Sequence, residues 1–411
     1  MNNLRCRYCN NILKYTFVDL GMSPLANSYL EEKDLKKIES FYPLKAYVCE
    51  KCFLVQLPEI QSAEHIFSDY AYLSSYSDSW LRHAQDYVEM VVDRFGFNTE
   101  SQIIEIASND GYLLQFFKEK EIPILGIEPA QNVAQVAQAA NIPTLIKFFN
   151  LQTAMELIDK GVRADLLIGN NVLAHVPKLN DFIDGMKTNL RPHGIITMEF
   201  PHLMKLMKEN QFDTIYHEHF SYFSFITVQK IFLKHGLTLF DVEEISTHGG
   251  SLRIYAKHTS NTIHSITNRV DKLLDIEREA GFDKLETYLS FSQKVQETKL
   301  KVLEFLIQAK RADKSVVGYG APAKANTLLN FCGIRSDFID FTVDRSPYKQ
   351  NHYLPGTHIP ICHPDKIKES KPDYLLILPW NLKQEIMEQM AYTREWGCQF
   401  VTLIPEVEVC S

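Results

Sequence analysis

Residues 102–114 read Gln102-Ile103-Ile104-Glu105-Ile106-Ala107-Ser108-Asn109-Asp110-Gly111-Tyr112-Leu113-Leu114, and this stretch decides the fold. Its first six residues predict a buried strand, and a helix is predicted from Tyr112 to Lys120. Small residues in the loop between them let a ligand approach the backbone, and the turn leaves free amides facing it. The loop has neither the glycine spacing of a dinucleotide site nor the lysine of a P-loop. Because Glu105 starts it, we expect a cationic ligand rather than a pyrophosphate.

Apolar runs and helical segments alternate after this loop. A helix is predicted over 130–140, and further strands are predicted at 124–128, 165–170 and 194–199. Such alternation is typical of a parallel, doubly wound sheet. Two more apolar runs, 239–245 and 251–257, follow each other without a helix between them. We therefore expect an antiparallel pair that closes one edge of the sheet.

A second strand-helix series occupies the last third of the chain. Residues 283–312 carry a long helical pattern rich in Lys, Glu and Gln, which is typical of an amphipathic connector. Strands are predicted after it at 315–320, 341–344 and 374–378. This series indicates a separate, smaller α/β domain. The predicted domains are 1–70, 71–290 and 291–411.

Composition narrows the class of protein. The chain has 411 residues, with 45% hydrophobic and 23% charged residues, which is ordinary for a globular protein of two or three domains. The formal charge of −8 argues against a broad nucleic-acid surface. The first residues lack the apolar core of a signal peptide, and no window approaches a membrane span. We expect a cytoplasmic protein.

Two cysteine pairs predict a metal site near the start of the chain. Cys6-x2-Cys9 and Cys49-x2-Cys52 are separated by 39 residues. Each pair can supply two thiolates to a tetrahedral ion, so we expect a structural Zn²⁺ whose shell is full. Four buried reduced cysteines are the alternative. Because this region has a thin core, the metal would stabilise it.

Polar residues at strand ends extend the predicted cofactor site. Glu128 ends the strand after the loop, where a carboxylate can hold a ribose diol. Phe148-Phe149-Asn150 are placed to flank an adenine, and Asn170-Asn171 end a strand at the ligand-binding crevice of such sheets. The cofactor residues we expect are Glu105, Ala107, Ser108, Asn109, Asp110, Gly111, Glu128, Phe149, Asn170 and Asn171. Taken singly, each of these residues is more often a plain turn residue.

The segment Tyr216-His217-Glu218-His219 combines four groups that can move protons, and aromatic residues surround it. Surroundings poor in water shift the pKa values of such groups into the range useful for proton transfer. The alternative is a packed aromatic segment whose histidines are satisfied by the core. A cofactor loop followed by this cluster predicts an enzyme that first deprotonates its substrate.

These motifs together resemble the S-adenosylmethionine-dependent methyltransferases, and more narrowly the sugar C-methyltransferases of deoxysugar biosynthesis. That family methylates C3 of a nucleotide-linked 4-keto-6-deoxysugar. The resemblance covers nearly the whole chain and rests on the cysteine pairs and on residues 105–114, 171–177, 216–219, 248–253 and 318–324. It implies an α/β fold: a class I (Rossmann-like) methyltransferase core, a small N-terminal zinc-binding domain and a second, C-terminal Rossmann-like domain.

The resemblance places Tyr216, Glu218, His219 and His175 around the sugar. We expect His219 to take the C3 proton, with Tyr216 as its partner or as a competing base, and His175 to donate to the enolate oxygen. Glu218 would orient His219 or bind a sugar hydroxyl, and His217 would be structural. The family also uses a tyrosine from the 70–76 region, for which Tyr72 is the first choice and Tyr76 the second.

The last domain is expected to hold the nucleotide. Free amides of the turn at 318–326, together with Lys324, suit a pyrophosphate, although a tight turn with an exposed lysine is the alternative. The expected substrate-binding residues are Tyr76, Arg253, Tyr319, Ala321, Lys324, Asn326 and Arg345. The implied partners are S-adenosylmethionine and a dTDP-sugar, in a monomer or weak homo-oligomer. A zinc-containing RNA methyltransferase and a non-catalytic nucleotide-binding scaffold are the competing hypotheses.

Overall fold

The computed structural model describes residues 4–62, 64, 66 and 73–410. Tyr72, one of the predicted catalytic residues, lies outside them. The strands are β1 (Tyr15–Ser23), β2 (Tyr42–Val48), β3 (Val55–Gln56), β4 (Ile103–Ile106), β5 (Ile124–Ile127), β6 (Thr144–Leu145), β7 (Ala164–Asn170), β8 (Leu190–Pro201), β9 (Ser221–Tyr222), β10 (Leu237–Ile245), β11 (Ser251–His258), β12 (Val316–Tyr319), β13 (Thr342–Val343), β14 (Ile361–Cys362), β15 (Tyr374–Ile377), β16 (Gln399–Thr402) and β17 (Glu408–Cys410).

The helices connect these strands and cover the sheets. They are α1 (Asp78–Phe95), α2 (Leu114–Glu119), α3 (Gln131–Ala139), α4 (Leu151–Asp159), α5 (Leu179–Asn189), α6 (Leu203–Lys208), α7 (Phe225–Lys234), α8 (Asn268–Glu279), α9 (Leu285–Leu289), α10 (Phe291–Arg311), α11 (Ala323–Cys332), α12 (Lys366–Ser370) and α13 (Lys383–Gln389). Among the described residues, none of these helices is both long and apolar enough to cross a membrane.

The central sheet has seven strands in the order β10-β11-β8-β7-β4-β5-β6. Strands β4 to β8 run parallel, and β11 is antiparallel to both β8 and β10. The predicted doubly wound sheet and its antiparallel pair are therefore confirmed. Within that pair, β11 lies inside the sheet beside β8, and β10 forms the edge. The carboxyl ends of β4, β5, β7 and β8 meet on one side, where ligands bind in sheets of this kind.

The first sheet joins the cysteine-bearing region at the start of the chain to β9, which lies about 165 residues later. Its order is β1-β2-β3-β9, and all its pairings are antiparallel. Strand β9 comes directly after the Tyr216–His219 segment, so the last strand of this sheet fixes the exit of that segment. The cysteine-bearing region therefore supports the predicted proton-transfer cluster.

The third sheet has the order β14-β13-β12-β15-β16-β17 and is parallel except for β17. This confirms the second α/β series. The single helix expected over 283–312 is wrong in detail, because α9 ends at Leu289 and α10 begins at Phe291. Tyr288 is fully buried there and donates to the Phe282 carbonyl at 2.9 Å, which anchors the break.

Candidate active site

One cavity of about 1010 Å³ lies at the carboxyl ends of the central strands. Its wall combines the loop after β4, the end of β5, the Tyr216–His219 segment and part of the third sheet's domain. The predicted residues that line it are Ala107, Asn109, Glu128, Phe149, Asn170, Asn171, His175, Tyr216, His219 and Lys324. The cavity thus brings together the predicted cofactor loop and the predicted proton-transfer cluster, which are about 100 residues apart in the sequence.

The loop after β4 curls around the carboxylate of Glu128. Ala107 and Asn109 have left-handed backbones, with φ of 56° and 51°. Glu128 accepts hydrogen bonds from the amides of Asn109 at 3.0 Å and Ala130 at 2.9 Å. Gly111 also has a positive φ of 82°, and a Cβ there would clash with Ile142. The loop is therefore packed tightly against the rest of the core while Ala107 and Asn109 line the cavity.

The electrostatics of this loop suit a positively charged ligand. Glu105 is fully buried below the loop, and burial followed by the nearby charges of Asp110 and Glu128 holds its pKa well above the usual value. Burial also raises the pKa of Glu128. One carboxylate oxygen of Asp110 accepts from the Ser75 amide at 3.1 Å, while the other is buried without a hydrogen-bond partner. A ligand carrying sulfonium and ammonium charges would relieve this repulsion, so the residues fit S-adenosylmethionine.

Four predicted cofactor residues lie behind the cavity wall rather than on it. Glu105, Ser108, Asp110 and Gly111 are buried and shape the loop from below. At the other end of the site, Phe149 packs edge-to-face on Phe182, with ring centroids 5.6 Å apart. Phe148 and Asn150 also line the cavity there. The structure thus places the predicted adenine-flanking residues 148–150 at one end of the cavity.

His219 stands at the centre of the proton-transfer cluster. Its Nδ1 lies 2.8 Å from the Thr214 carbonyl oxygen, so Nδ1–H donates and Nε2 carries the lone pair. Its ring centroid is 4.1 Å from that of Tyr216 and 4.7 Å from that of His175. Burial, together with His175, holds the pKa of His219 well below its usual value. Burial lowers the pKa of His175 to about 4. Both imidazoles are therefore neutral near pH 7, the form that accepts a proton.

Glu218 and His217 are not among the described residues that line the cavity. The carboxylate of Glu218 accepts from Asn27 Nδ2 at 2.6 Å, a contact that the sequence did not predict. Burial raises the pKa of Glu218 to about 7. His217 Nε2 lies 3.3 Å from the Pro43 carbonyl oxygen, and its ring packs edge-to-face on Tyr42. This is the structural position expected for His217.

Sequence reasoning missed many of the lining residues, and three of these form a connected group: His248, Trp80 and His83. His248 Nε2 lies 3.0 Å from Asn171 Nδ2, and its ring packs edge-to-face on Trp80 at 5.2 Å. Trp80 stacks on His83 at 4.9 Å, and His83 contacts Glu199 at 2.9 Å. The motif at 248–253 was a sequence signal for His248. Trp80 and His83 had no such signal, because they lie on α1, whose pattern is that of an ordinary amphipathic helix.

The third sheet's domain closes the cavity through Lys324. Its ammonium donates to Asn381 Oδ1 at 2.8 Å and lies 4.3 Å from the centre of the Trp380 ring. Trp380 Nε1 in turn donates to Asp213 at 2.7 Å, and burial raises the pKa of Asp213 to about 6. A side chain from one α/β unit thereby anchors the other beside the site.

The other predicted substrate residues lie outside the cavity wall. Arg253 is buried and pairs with Glu199 at 2.6 Å and Glu243 at 3.2 Å, so its expected reach to phosphates is replaced by a structural role. Tyr76 is 70% exposed, and Arg345 is also exposed. The remaining three have protein partners: Tyr319 donates to Gln389 at 3.1 Å, the Ala321 amide to Asp344 at 2.8 Å, and Asn326 to the Ala26 carbonyl at 2.6 Å.

The four predicted zinc ligands converge away from the cavity. The sulfur atoms of Cys6, Cys9, Cys49 and Cys52 all lie within 4.8 Å of one another. Cys6 and Cys52 are 3.5 Å apart, and Cys9 and Cys49 are 3.4 Å apart. A tetrahedral ion with Zn–S bonds of about 2.3 Å needs separations of about 3.8 Å, so the set fits Zn²⁺.

The two cysteine turns repeat one backbone pattern. The Asn10 amide donates to the Cys6 carbonyl at 2.9 Å, and the Phe53 amide donates to the Cys49 carbonyl at 2.8 Å. Asn10 and Phe53 both have left-handed backbones, with φ of 61° and 63°. Each turn thus presents its two thiolates to a shared centre.

Three family models match successive parts of the chain. "Putative zinc binding domain" matches residues 6–67, "Methyltransferase domain" matches 80–242, and "C-methyltransferase C-terminal domain" matches 246–405. The curated protein "C-methyltransferase NovU" of Streptomyces niveus is 33% identical over 406 residues, which cover 99% of this chain and 96% of that protein.

Solved structures align with about half of the chain. Magnesium protoporphyrin IX methyltransferase (ChlM) from Synechocystis PCC 6803 with bound SAM is 13% identical, covering 47% of this chain and 88% of that one, with a TM-score of 0.34. PH0226 protein from Pyrococcus horikoshii OT3 is 12% identical, covering 48% and 99%, with a TM-score of 0.36.

Proposed function

The chain belongs to the C-methyltransferase family, and on that premise we propose that it methylates C3 of a nucleotide-linked 4-keto-6-deoxysugar. The enzyme is an S-adenosylmethionine-dependent methyltransferase with a zinc-binding region. The observation that carries the proposal is the single cavity shared by Glu128 of the cofactor loop and His219 of the proton-transfer cluster. A neutral base beside a methyl-donor site suits a reaction that must create a carbon nucleophile.

When bound, S-adenosylmethionine supplies an electrophilic methyl group. The chain's own task is to remove the C3 proton, which the neighbouring C4 ketone makes acidic. We assign this to Nε2 of His219, because Nδ1 is held by the Thr214 carbonyl. His175 and Tyr216 flank that ring and can donate to the C4 oxygen as negative charge develops there. C3 then gains the methyl group as the carbon–sulfur bond breaks, leaving S-adenosylhomocysteine.

The nucleotide part of the substrate is assigned to Lys324, at the start of α11. Lys324 places a cation on the cavity wall. Binding a diphosphate here would orient the sugar through groups remote from the reacting carbon. The identity of the base, dTDP in our proposal, rests on the family resemblance.

Turnover with defined substrates tests this function. The protein is incubated with S-adenosylmethionine and dTDP-4-keto-6-deoxyglucose, and the product is analysed by mass spectrometry and NMR. We expect a nucleotide sugar heavier by one methylene, with the new methyl on C3. Methyl transfer to C5, the other carbon beside the ketone, would support a sugar C-methyltransferase but refute C3 as the methylated carbon. No turnover across several 4-keto sugars would refute the substrate class.

Glu128→Gln should weaken the binding of S-adenosylmethionine about 10- to 150-fold. The carboxylate shapes the loop and is positioned to accept from the ribose diol, and a hydrogen bond to a charged group is worth about 1.5–3 kcal/mol. Isothermal titration calorimetry measures the affinity. Glu244→Gln changes an exposed carboxylate outside the site and serves as the control. Matching affinities in the two variants would remove Glu128 from the cofactor site.

A further inference from the structure

A loop of the zinc-binding region reaches both α/β units. Residues 24–30 follow β1, and the amides and carbonyls of Leu30 and Tyr353 pair at 3.0 and 2.8 Å. Tyr29 donates to the Ala321 carbonyl at 2.6 Å, and Asn326 donates to the Ala26 carbonyl at the same distance. Between these anchors, Asn27 donates to Glu218 in the central unit. The loop is therefore anchored to the C-terminal α/β unit, and its Asn27 side chain contacts the Tyr216–His219 segment of the central unit.

Glu218 is connected to both histidines of the proposed site. It precedes His219 directly in the sequence, and its backbone forms a hydrogen bond with His175. Its own carboxylate is buried, with 6% of the residue exposed, and receives its amide donor from Asn27 at 2.6 Å. The carboxylate and the backbone that contacts the two imidazoles thus belong to the same residue, and the Asn27 contact restrains that residue from the first sheet's side.

Among the described residues, the titratable groups beside Glu218 include His217 and His219 next to it in the chain and His175 at its backbone. Tyr29 faces it from the same loop as Asn27. Beyond Tyr29 stand Lys349, whose ammonium lies 5.5 Å from the Tyr29 ring centre, and Asp344, 3.6 Å from Lys349. Burial raises the pKa of Glu218 to about 7, and the hydrogen bond from Asn27 opposes that rise. Loss of the Asn27 donor would therefore favour the protonated carboxyl.

We infer that Asn27 is a positioning residue: through its hydrogen bond to Glu218 it holds the backbone at Glu218 and His219 in place for proton abstraction, and with it the His175 imidazole that bonds to the Glu218 backbone. This inference rests on the proposed function for its catalytic consequence, but not for the contact itself. It gives the zinc-binding region a side-chain contact to the catalytic segment, in addition to the pairing of β3 with β9.

Titration of Glu218 tests the contact without any substrate. Protein labelled with ¹³C at glutamate carboxyls is titrated by NMR, and Glu218→Gln identifies the signal. We expect a midpoint near 7 in the unaltered protein and a midpoint about one pH unit higher, or more, in Asn27→Ala. Ser28→Ala, an exposed neighbour in the same loop, should leave the midpoint unchanged. Because Asn27 is itself exposed, its replacement leaves the buried core intact.

Kinetics test the positioning role. Asn27→Ala should lower kcat about tenfold or more, with a shifted pH profile and an unchanged KM for S-adenosylmethionine, and Asn27→Gln should recover part of the rate. An unmoved Glu218 midpoint, or equal shifts in Asn27→Ala and Ser28→Ala, would overturn the inference, as would an unchanged kcat. If the unaltered protein methylates no 4-keto sugar while the midpoint shifts as expected, the proposed function fails and the Asn27–Glu218 contact stands.

Discussion

His219→Ala is expected to lower both C3 proton exchange and methyl transfer by about 10²- to 10⁴-fold, the usual contribution of a positioned general base. The imidazole is neutral near pH 7 because burial holds its pKa well below the usual value, so no prior deprotonation is needed. Alanine removes Nε2, the only atom we assign to the proton transfer. Exchange is followed by NMR in D₂O, and methyl transfer by mass spectrometry.

Tyr216→Phe separates the two candidate bases. It removes the phenol that lies beside the His219 ring while keeping the aromatic packing. We expect it to retain measurable proton exchange, because our assignment gives the C3 proton to Nε2 of His219 and leaves the phenol a supporting role. Near-normal exchange in His219→Ala combined with its loss in Tyr216→Phe would transfer the base role to Tyr216. Unchanged binding of S-adenosylmethionine in both variants shows that the site is still folded.

Cys49→Ser is expected to abolish zinc binding and to unfold the first sheet. Structural Zn²⁺ contributes about 10–16 kcal/mol in small zinc-binding peptides, which is comparable to the whole stability of a typical domain, about 5–15 kcal/mol. The sheet includes β9 and leads into the loop of Asn27, so its loss should also eliminate activity. Zinc content is measured by elemental analysis, and unfolding by circular dichroism.

Cys410→Ser supplies the control for the zinc prediction. Cys410 lies in β17, in the third sheet, away from the four converging sulfur atoms. This variant should keep the zinc content and melting temperature of the unaltered protein. If Cys49→Ser also keeps both, the four cysteines are ordinary buried thiols and the metal site is refuted. Removal of the metal with a chelator should reproduce the effect of Cys49→Ser.

Local patterns in the sequence were enough for most strands of the central sheet and for three strands of the third sheet, but none of the four strands of the first sheet was predicted. The strand, loop and helix around 102–114 depend on apolar runs and small residues that lie next to one another, and so do the two cysteine turns. The break between Leu289 and Phe291 was invisible, because the helical periodicity continues across it and only the buried Tyr288 marks the change.

Side-chain partners distant in the sequence could not be predicted in this way. Arg253 looked like a phosphate ligand because it follows paired glycines, but Glu199, on the neighbouring strand β8, neutralises it. Glu218 looked like a partner of His219, but the Asn27 donor comes from a position 191 residues earlier. Such pairings depend on how whole sheets pack, which local propensity does not encode.

Proton exchange without a methyl donor tests most directly whether this site creates a carbon nucleophile at C3. The protein is incubated with dTDP-4-keto-6-deoxyglucose in D₂O in the absence of S-adenosylmethionine, and deuterium in the sugar is located by NMR. We predict enzyme-dependent deuterium at C3 that is lost in His219→Ala. Exchange at C5 alone, or methyl transfer that proceeds normally in His219→Ala, would contradict C3 proton abstraction by this histidine.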